Sequence, residues 1–264
     1  MHPVLLHIGT FELASYGLMT ALGYAAACLY LVPRLKNSHI KNLTQDTFWN
    51  LLFIVFLGAI IGGKLLFIIV SWPQLGETLA AKLSTILRDI RYGFVFFGGL
   101  IVAVTGALWY MRRKQLPILK TADFLIVGVP LGHALGRIGC FLAGCCYGKP
   151  TTLPWGVRFT DPHALVAPEL MNLPLHPTQL YEAAINFLLF LLLHYASKKP
   201  HTEGKILVLY ILCYAIMRFG IEFLRGDFRG GFLWGMSPSQ VISLGIAGVA
   251  VWIWAKYLRE AKHG

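Results

Sequence analysis

Charge is scarce in this chain. Asp, Glu, Lys and Arg make up 13% of its 264 residues, against roughly 25% in a soluble domain. That deficit, with 56% hydrophobic residues and a mean hydropathy of +0.64, excludes a soluble globular protein and predicts an integral membrane one. Acidic residues are the scarcer sign, 12 against 23 basic, which leaves a net charge of +11. In a membrane chain such an excess belongs to cytoplasmic loops, so no nucleic-acid partner is expected. Cysteine is sparse and scattered. Cys28, Cys140, Cys145, Cys146 and Cys213 do not make a disulfide framework, and only the cluster of three invites a chemical reading. The opening MHPVLLHIGTFELASYG lacks a basic n-region and a small-residue cleavage site. No cleavable signal peptide is expected, and the first spanning helix would direct insertion itself. There is no low-complexity tract and no evident internal repeat, which weighs against a transporter built on inverted repeats.

Long apolar runs are what the chain has in abundance. A spanning helix needs about 20 mainly apolar residues. Seven segments qualify: 13–33, 50–71, 93–111, 122–146, 178–196, 205–225 and 237–256. The expected fold is an all-α integral membrane protein of seven transmembrane helices, a single polytopic domain over residues 1–264. Loop charge orients it. Thirteen Lys and Arg fall at one set of helix ends, seven at the other and three inside the spans. The richer side is cytoplasmic, which puts the N-terminus outside and the C-terminus in the cytoplasm. Two outer segments exceed a turn. Residues 73–92 carry Leu79, Leu83, Ile86, Leu87 and Ile90 at helical spacing and predict an amphipathic arm lying on the outer surface. Residues 147–177 hold Trp155 and six prolines and predict a small extracytoplasmic cap.

Three basic residues lie inside the spans: Lys64, Arg137 and Arg218. A charge at mid-membrane costs about 3 kcal/mol or more, so it tends to face a cavity and to have a task. Glu222 follows Arg218 by four residues and shares its helical face. One reading is a structural Arg–Glu pair between helices. The other is an anion site, since the guanidinium fork matches phosphate oxygens, and the anion at hand in a membrane is a phospholipid head group. His133, Arg137 and Cys140 share a face at i, i+4 and i+7. Gly136, Gly139 and Gly144 permit close approach of a helix or ligand. Cys140, Cys145 and Cys146 can be packing residues, a redox pair, a metal site with His133 or a lipid-carrying thiol. The spacing C-x4-C-C is not a standard zinc pattern.

These residues resemble the prolipoprotein diacylglyceryl transferase family of bacterial lipoprotein maturation, as a divergent member. The resemblance runs from Tyr16-Gly17-Leu18-Met19 through Gly62-Gly63-Lys64, the GFVFFGG of residues 93–99 and the GRIG of residues 136–139. It continues in His176-Pro177-Thr178-Gln179-Leu180-Tyr181-Glu182, then Tyr214, Arg218, Glu222 and Arg225, and ends in Ser237-Pro238-Ser239-Gln240. Where the family commonly reads G-R-x-G-N-F-x-N-x-E, this chain places Cys140, Ala143 and Cys145 at the three polar positions, and Phe97 stands where the family often has histidine.

The resemblance implies a transferase of the bacterial cytoplasmic membrane. It would move the diacylglyceryl group from phosphatidylglycerol to the lipobox cysteine of prolipoprotein signal peptides, forming a thioether and releasing glycerol phosphate. No metal or organic cofactor is expected. Two alternatives stay open: a related phospholipid-using transferase with another acceptor, and a non-catalytic phospholipid-binding membrane protein. The leaving phosphate needs cationic stabilisation, which assigns Arg137 and Arg218, with Arg225 at head-group level. The incoming thiol must lose a proton, because thiolate is the nucleophile. His133, His176, Glu182 and Glu222 are the candidate acceptors, and either glutamate can instead orient an arginine. Tyr16, Tyr181 and Tyr214 offer hydroxyls to phosphate or glyceryl oxygens. Lys64, Gly98, Gly99, Gly139, Cys140, Cys145, His176, Gln179 and Glu182 are implied to line the substrate site.

Overall fold

The computed structural model describes residues 2–8, 11–88, 93–227 and 235–263. Two compact units emerge: Met1–Arg34 with Ala122–Gly264, and Leu35–Thr121.

In the first unit, β1 (Val4–Ile8) and β2 (Phe11–Ala14) pair antiparallel, with Leu6 opposite Leu13. This hairpin is a short addition at the start of an otherwise helical fold. Strands of five and four residues are too short to register in a window sized for a membrane span. Helix α1 (Ser15–Leu35) follows, and the backbone N–H of Ser15 donates to the Pro3 carbonyl at 2.9 Å.

The second unit holds α2 (Gln45–Ser71), α3 (Leu79–Arg88) and α4 (Phe96–Arg113). Thr44 caps α2, its hydroxyl accepting from the Thr47 N–H at 3.2 Å. Helices α2 and α4 pack through small residues. A Cβ at Gly58 would come within 3.0 Å of the Ala103 backbone, and one at Gly99 within 2.6 Å of the Ala59 carbonyl. Such stripes let helix backbones touch where no water drives association. Leu79, Leu83 and Leu87 are exposed along one side of α3. Ile90 lies outside the described residues.

The fourth expected span, 122–146, is two helices, α5 (Ile118–Ile126) and α6 (Val129–Ala143), bent by 40°. Pro130 lacks an N–H to donate to the preceding turn, which breaks the ladder at Val127–Gly128. Helix α6 ends three residues before the expected boundary. Gly144 adopts φ 76°, and its N–H reaches the Phe141 carbonyl at 3.2 Å. Only glycine enters this left-handed conformation without cost. A Cβ on Gly23 of α1 would sit 2.6 Å from the Gly132 carbonyl oxygen of α6, so these two helices are in backbone contact.

Residues 147–177 wrap their own apolar centre of Tyr147, Phe159, Val166 and Leu175. A two-residue ladder joins β3 (Val157–Arg158) to β4 (Pro174–Leu175), with one 3₁₀ turn at Pro168–Leu170 between them. Helices α7 (Thr178–Ser197), α8 (Lys205–Glu222) and α9 (Pro238–His263) complete the unit.

Among the described residues, α1, α2, α7 and α9 are long and apolar enough to cross a membrane, and the bent α5–α6 pair makes a fifth candidate. Helices stand at the other two expected spans as well. The arginine pair closing α4, and Lys205, Arg218 and Glu222 in α8, hold those two below the same threshold.

One cap in this unit is tertiary. Asp123 of α5 accepts the Gly204 N–H at 2.7 Å and the Leu207 N–H at 2.8 Å, closing the start of α8 from 81 and 84 residues away. Asp123→Ala strands two buried donors, and capping losses run about 0.5–2 kcal/mol. A fall of several degrees in the thermal midpoint of the detergent-solubilised protein is expected; an unchanged midpoint would assign the cap no weight.

Candidate active site

Three elements and one loop bring the motif residues of the first unit together. On α6, His133, Arg137 and Cys140 share the face that the heptad spacing predicts. On α7, Thr178, Gln179, Glu182 and Asn186 form a polar row that is fully buried. On α8, Tyr214, Arg218 and Glu222 recur every four residues. Arg225 sits just beyond α8, where Gly148 and Arg225 form an isolated bridge and the Lys149 N–H donates to the Leu224 carbonyl at 2.8 Å.

Glu182 is the centre of the cluster. Its side chain is 0% exposed, and three arginines from separate parts of the chain address it. Arg137 Nη2 lies 2.7 Å from Oε2. Arg225 Nη1 lies 3.1 Å from Oε1, and Arg218 Nη1 stands 3.7 Å from the same oxygen. Two further carboxylates hold the outer edges. Glu222 is 2.6 Å from Arg218 Nη2. Asp227 takes Arg225 in a two-point pair, Nε to Oδ1 at 2.9 Å and Nη2 to Oδ2 at 2.8 Å. Arg218 also donates to Ser239 Oγ of α9 at 3.2 Å. Three guanidiniums thus face three carboxylates. Balance of this kind is what lets so many charges stay out of water.

Around this core the other candidates distribute unevenly. His133 accepts from Arg137 Nε through its Nε2 at 3.3 Å, and its ring lies 5.6 Å from that of Tyr214. Gln179 Nε2 donates to the Cys145 carbonyl at 2.7 Å, and Thr178 Oγ1 to the Cys146 carbonyl at 2.8 Å. These two bonds tie the start of α7 to the loop after α6. Gln179 Oε1 is buried and has no hydrogen-bond partner among the described residues, an unusual state for a buried acceptor. A Cβ on Gly139 would lie 2.9 Å from the Met19 Cβ and 3.3 Å from the Tyr16 carbonyl oxygen, so this glycine lets α6 approach α1. Tyr16 is 49% exposed and close enough to interact electrostatically with Cys140, Cys145 and Cys146.

His176 and Tyr181 form a separate group. Tyr181 Oη accepts from Trp155 Nε1 at 2.7 Å and lies 3.4 Å from His176 Nδ1. Lys64, Gly98 and Gly99 belong to the second unit. Lys64 Nζ lies 5.3 Å from the Phe67 ring centre and 5.5 Å from that of Phe94. Gly98 and Gly99 face the backbones of Gly62 and Ala59.

Sequence reasoning missed Asp227 and Asn186. The first had a signal, an acid two residues after Arg225. The second is an amide inside an apolar run, and it donates to the Glu182 carbonyl at 2.8 Å. The sequence pairs Glu222 with Arg218 on one helix, whereas Glu182 is the carboxylate that all three arginines share. Sequence spacing can show only partners on the same helix.

The cluster as a whole is suited to an oxyanion. Planar forks already arranged around carboxylate oxygens present the donor geometry that phosphate oxygens take, and burial strengthens each such contact.

Comparison with known proteins gives one consistent result. A model of the family described as prolipoprotein diacylglyceryl transferase matches residues 3–256. The chain is 40% identical to the phosphatidylglycerol–prolipoprotein diacylglyceryl transferase of Clostridium tetani, over 92% of this chain and 93% of that protein. It is 36% identical to transferase 2 of that name from Clostridium perfringens, over 92% and 91%. It is 34% identical to the same-named protein of Pseudoalteromonas atlantica, over 96% and 89%.

Proposed function

This chain belongs to the prolipoprotein diacylglyceryl transferase family, and from that premise we propose that Arg137, Arg218 and Arg225 bind the phosphate of phosphatidylglycerol while its diacylglyceryl group passes to a prolipoprotein. The protein is a membrane transferase of lipoprotein biogenesis. The acceptor is the lipobox cysteine thiol, the product a thioether and the leaving group glycerol phosphate. The observation that carries the assignment of residues is the convergence of three guanidiniums on buried Glu182.

The mechanism follows from charge. The cluster is balanced before substrate arrives, so a phosphodiester adds one negative charge that needs a cation turned towards it. Arg137 is the least buried of the three, at 12% against 9% and 2%. It turns from Glu182 to the lipid phosphate, and Arg218 and Arg225 face the same phosphate while each keeps its outer carboxylate, Glu222 and Asp227. As the carbon–oxygen bond breaks, negative charge grows on the departing phosphate, and the fixed cations stabilise that charge more than the ground state. Gln179 Oε1 accepts a hydroxyl of the glycerol head group. Tyr16, Tyr214, Gly139, Cys140 and Cys145 line the lipid site, and His176 and Tyr181 stand beside Trp155 at its outer edge.

In the membrane the whole chain acts as one polytopic domain of seven spans in the bacterial cytoplasmic membrane, N-terminus outside and C-terminus cytoplasmic. Helix α3 lies along the outer leaflet, as its exposed leucine row supports. Residues 147–177 cap the outer helix ends, as their separate apolar centre supports.

The test is direct transfer. Purified protein is given labelled phosphatidylglycerol and a lipobox peptide with one cysteine. Diacylglyceryl peptide and glycerol phosphate in equal amounts are expected. Lipid bound without either product would leave a phospholipid-binding protein, and lipid turnover without peptide modification would point to another acceptor.

A further inference from the structure

The sulfur atoms of Cys140, Cys145 and Cys146 lie within 4.8 Å of one another. Two features of the chain produce this. Cys140 sits in the last turn of α6, and the left-handed turn at Gly144 folds the next two residues back beside it. Cys146 itself has φ 63°, a conformation that side chains adopt at a cost of about 1–3 kcal/mol and that clusters at functional sites. The Gln179 and Thr178 bonds to the Cys145 and Cys146 carbonyls hold the loop rigid. Packing alone asks for apolar bulk at these positions, not for three thiols turned to one point on a fixed backbone.

The surroundings suit an anionic metal complex. Arg225 lies near Cys146, and Arg137 lies near Cys140 and Cys146. A divalent ion with three thiolates carries one negative charge, and it would lie beside guanidiniums rather than beside carboxylates. Zinc takes thiolate at about 2.3 Å, so tetrahedral sulfurs stand roughly 3.8 Å apart. The observed group needs to contract by no more than about 1 Å.

Transfer also requires something the arginine cluster does not supply. Both oxygens of Glu182 face arginines, Glu222 is taken by Arg218, Asp227 by Arg225, and the Nε2 lone pair of His133 by Arg137. Each candidate base near the cluster is committed to a cation. A metal ion deprotonates a bound thiol outright, and a zinc site with three protein ligands keeps a fourth position open.

We propose that Cys140, Cys145 and Cys146 bind a Zn2+ ion and that its fourth position takes the acceptor thiol as a thiolate. This rests on the transferase reading above. Binding zinc releases three protons from the protein thiols. The acceptor thiol then gives its proton to solvent and forms the fourth zinc–sulfur bond. The bound sulfur attacks the glyceryl carbon of phosphatidylglycerol with its electron pair. The carbon–sulfur bond forms, the carbon–oxygen bond breaks, and glycerol phosphate leaves with that bond's electrons. The product thioether is neutral and a weak ligand, so it departs. The zinc ion is neither oxidised nor reduced.

The test uses the full chain in detergent. Zinc content is measured by mass spectrometry, and Co2+ replaces zinc as an absorbing probe. One zinc per chain is expected. The Co2+ form should show sulfur-to-cobalt charge transfer that survives Cys28→Ser with Cys213→Ser and disappears in Cys145→Ala and Cys146→Ala. Stripping zinc from the unaltered chain should slow transfer on the order of 100-fold, the scale of losing proton removal, and added Zn2+ should restore it. This arm needs no substitution and decides the matter if the cysteine variants fail to fold. Full transfer by zinc-free protein, or a cobalt spectrum that persists without the three thiols, overturns the proposal and leaves the transferase reading intact. Zinc bound with no transfer under any condition overturns that reading and the acceptor role with it.

Discussion

Arg137→Ala is expected to lower transfer by about 10²–10³-fold, the usual loss when a fixed oxyanion donor is removed, with little change in folding. The asymmetry comes from the geometry. Glu182 loses its 2.7 Å partner but keeps Arg225 at 3.1 Å and Arg218 at 3.7 Å. The buried carboxylate therefore still has cations, and the protein holds together. The lipid phosphate, by contrast, loses the cation best placed to turn towards it. Arg137→Lys keeps the charge and removes the planar fork, so it should restore only a part of the rate. The measurement is single-turnover transfer of labelled lipid, beside a thermal midpoint for each variant. Full activity in Arg137→Ala would remove this residue from the mechanism. Arg218→Ala should cost comparable activity and more stability, because it also leaves Glu222 without its 2.6 Å partner.

Glu182→Ala should instead destroy the fold around the site. This carboxylate is 0% exposed and faces three guanidiniums. Removing one partner of a buried ion pair costs about 3–5 kcal/mol, because the remaining charge stays buried and uncompensated. Here the remainder is positive and concentrated, so the upper part of that range is expected. Glu182→Gln preserves shape and one set of hydrogen bonds but not the charge, and should fall between. Yield of monodisperse protein and the thermal midpoint in detergent report the effect. A Glu182→Ala protein that melts with the unaltered chain would mean that Glu222 and Asp227 alone keep the arginines in place.

The helical segments were legible because a membrane makes them so. Backbone groups in lipid must be satisfied within the segment, so an apolar run of sufficient length is a helix. The break between α5 and α6 was written in Gly128 and Pro130, yet a hydropathy window averages over it. The β1–β2 hairpin escaped for the opposite reason, being shorter than any such window. On α6 and α8 the spacing predicted which side chains share a face, and Arg218 with Glu222 needed nothing more.

Partners on different elements were beyond that reach. Nothing in a linear pattern says that Glu182 of α7 sits among arginines from α6, α8 and the segment after it. Nor does it say that Asp123 closes a helix 81 residues away. The spacing of the three thiols argued against a metal site, because zinc patterns in sequence presume ligands along regular elements. A left-handed turn at Gly144 brings them together instead.

The amino-acid order by itself determined the solvent this protein lives in, the places where helices form and the residue types with which it meets an anion. Those properties are local, set by transfer energies and helical period. Tertiary packing decided which charges neutralise one another, because Coulomb energy depends on distances of a few ångströms between elements that lie far apart along the chain.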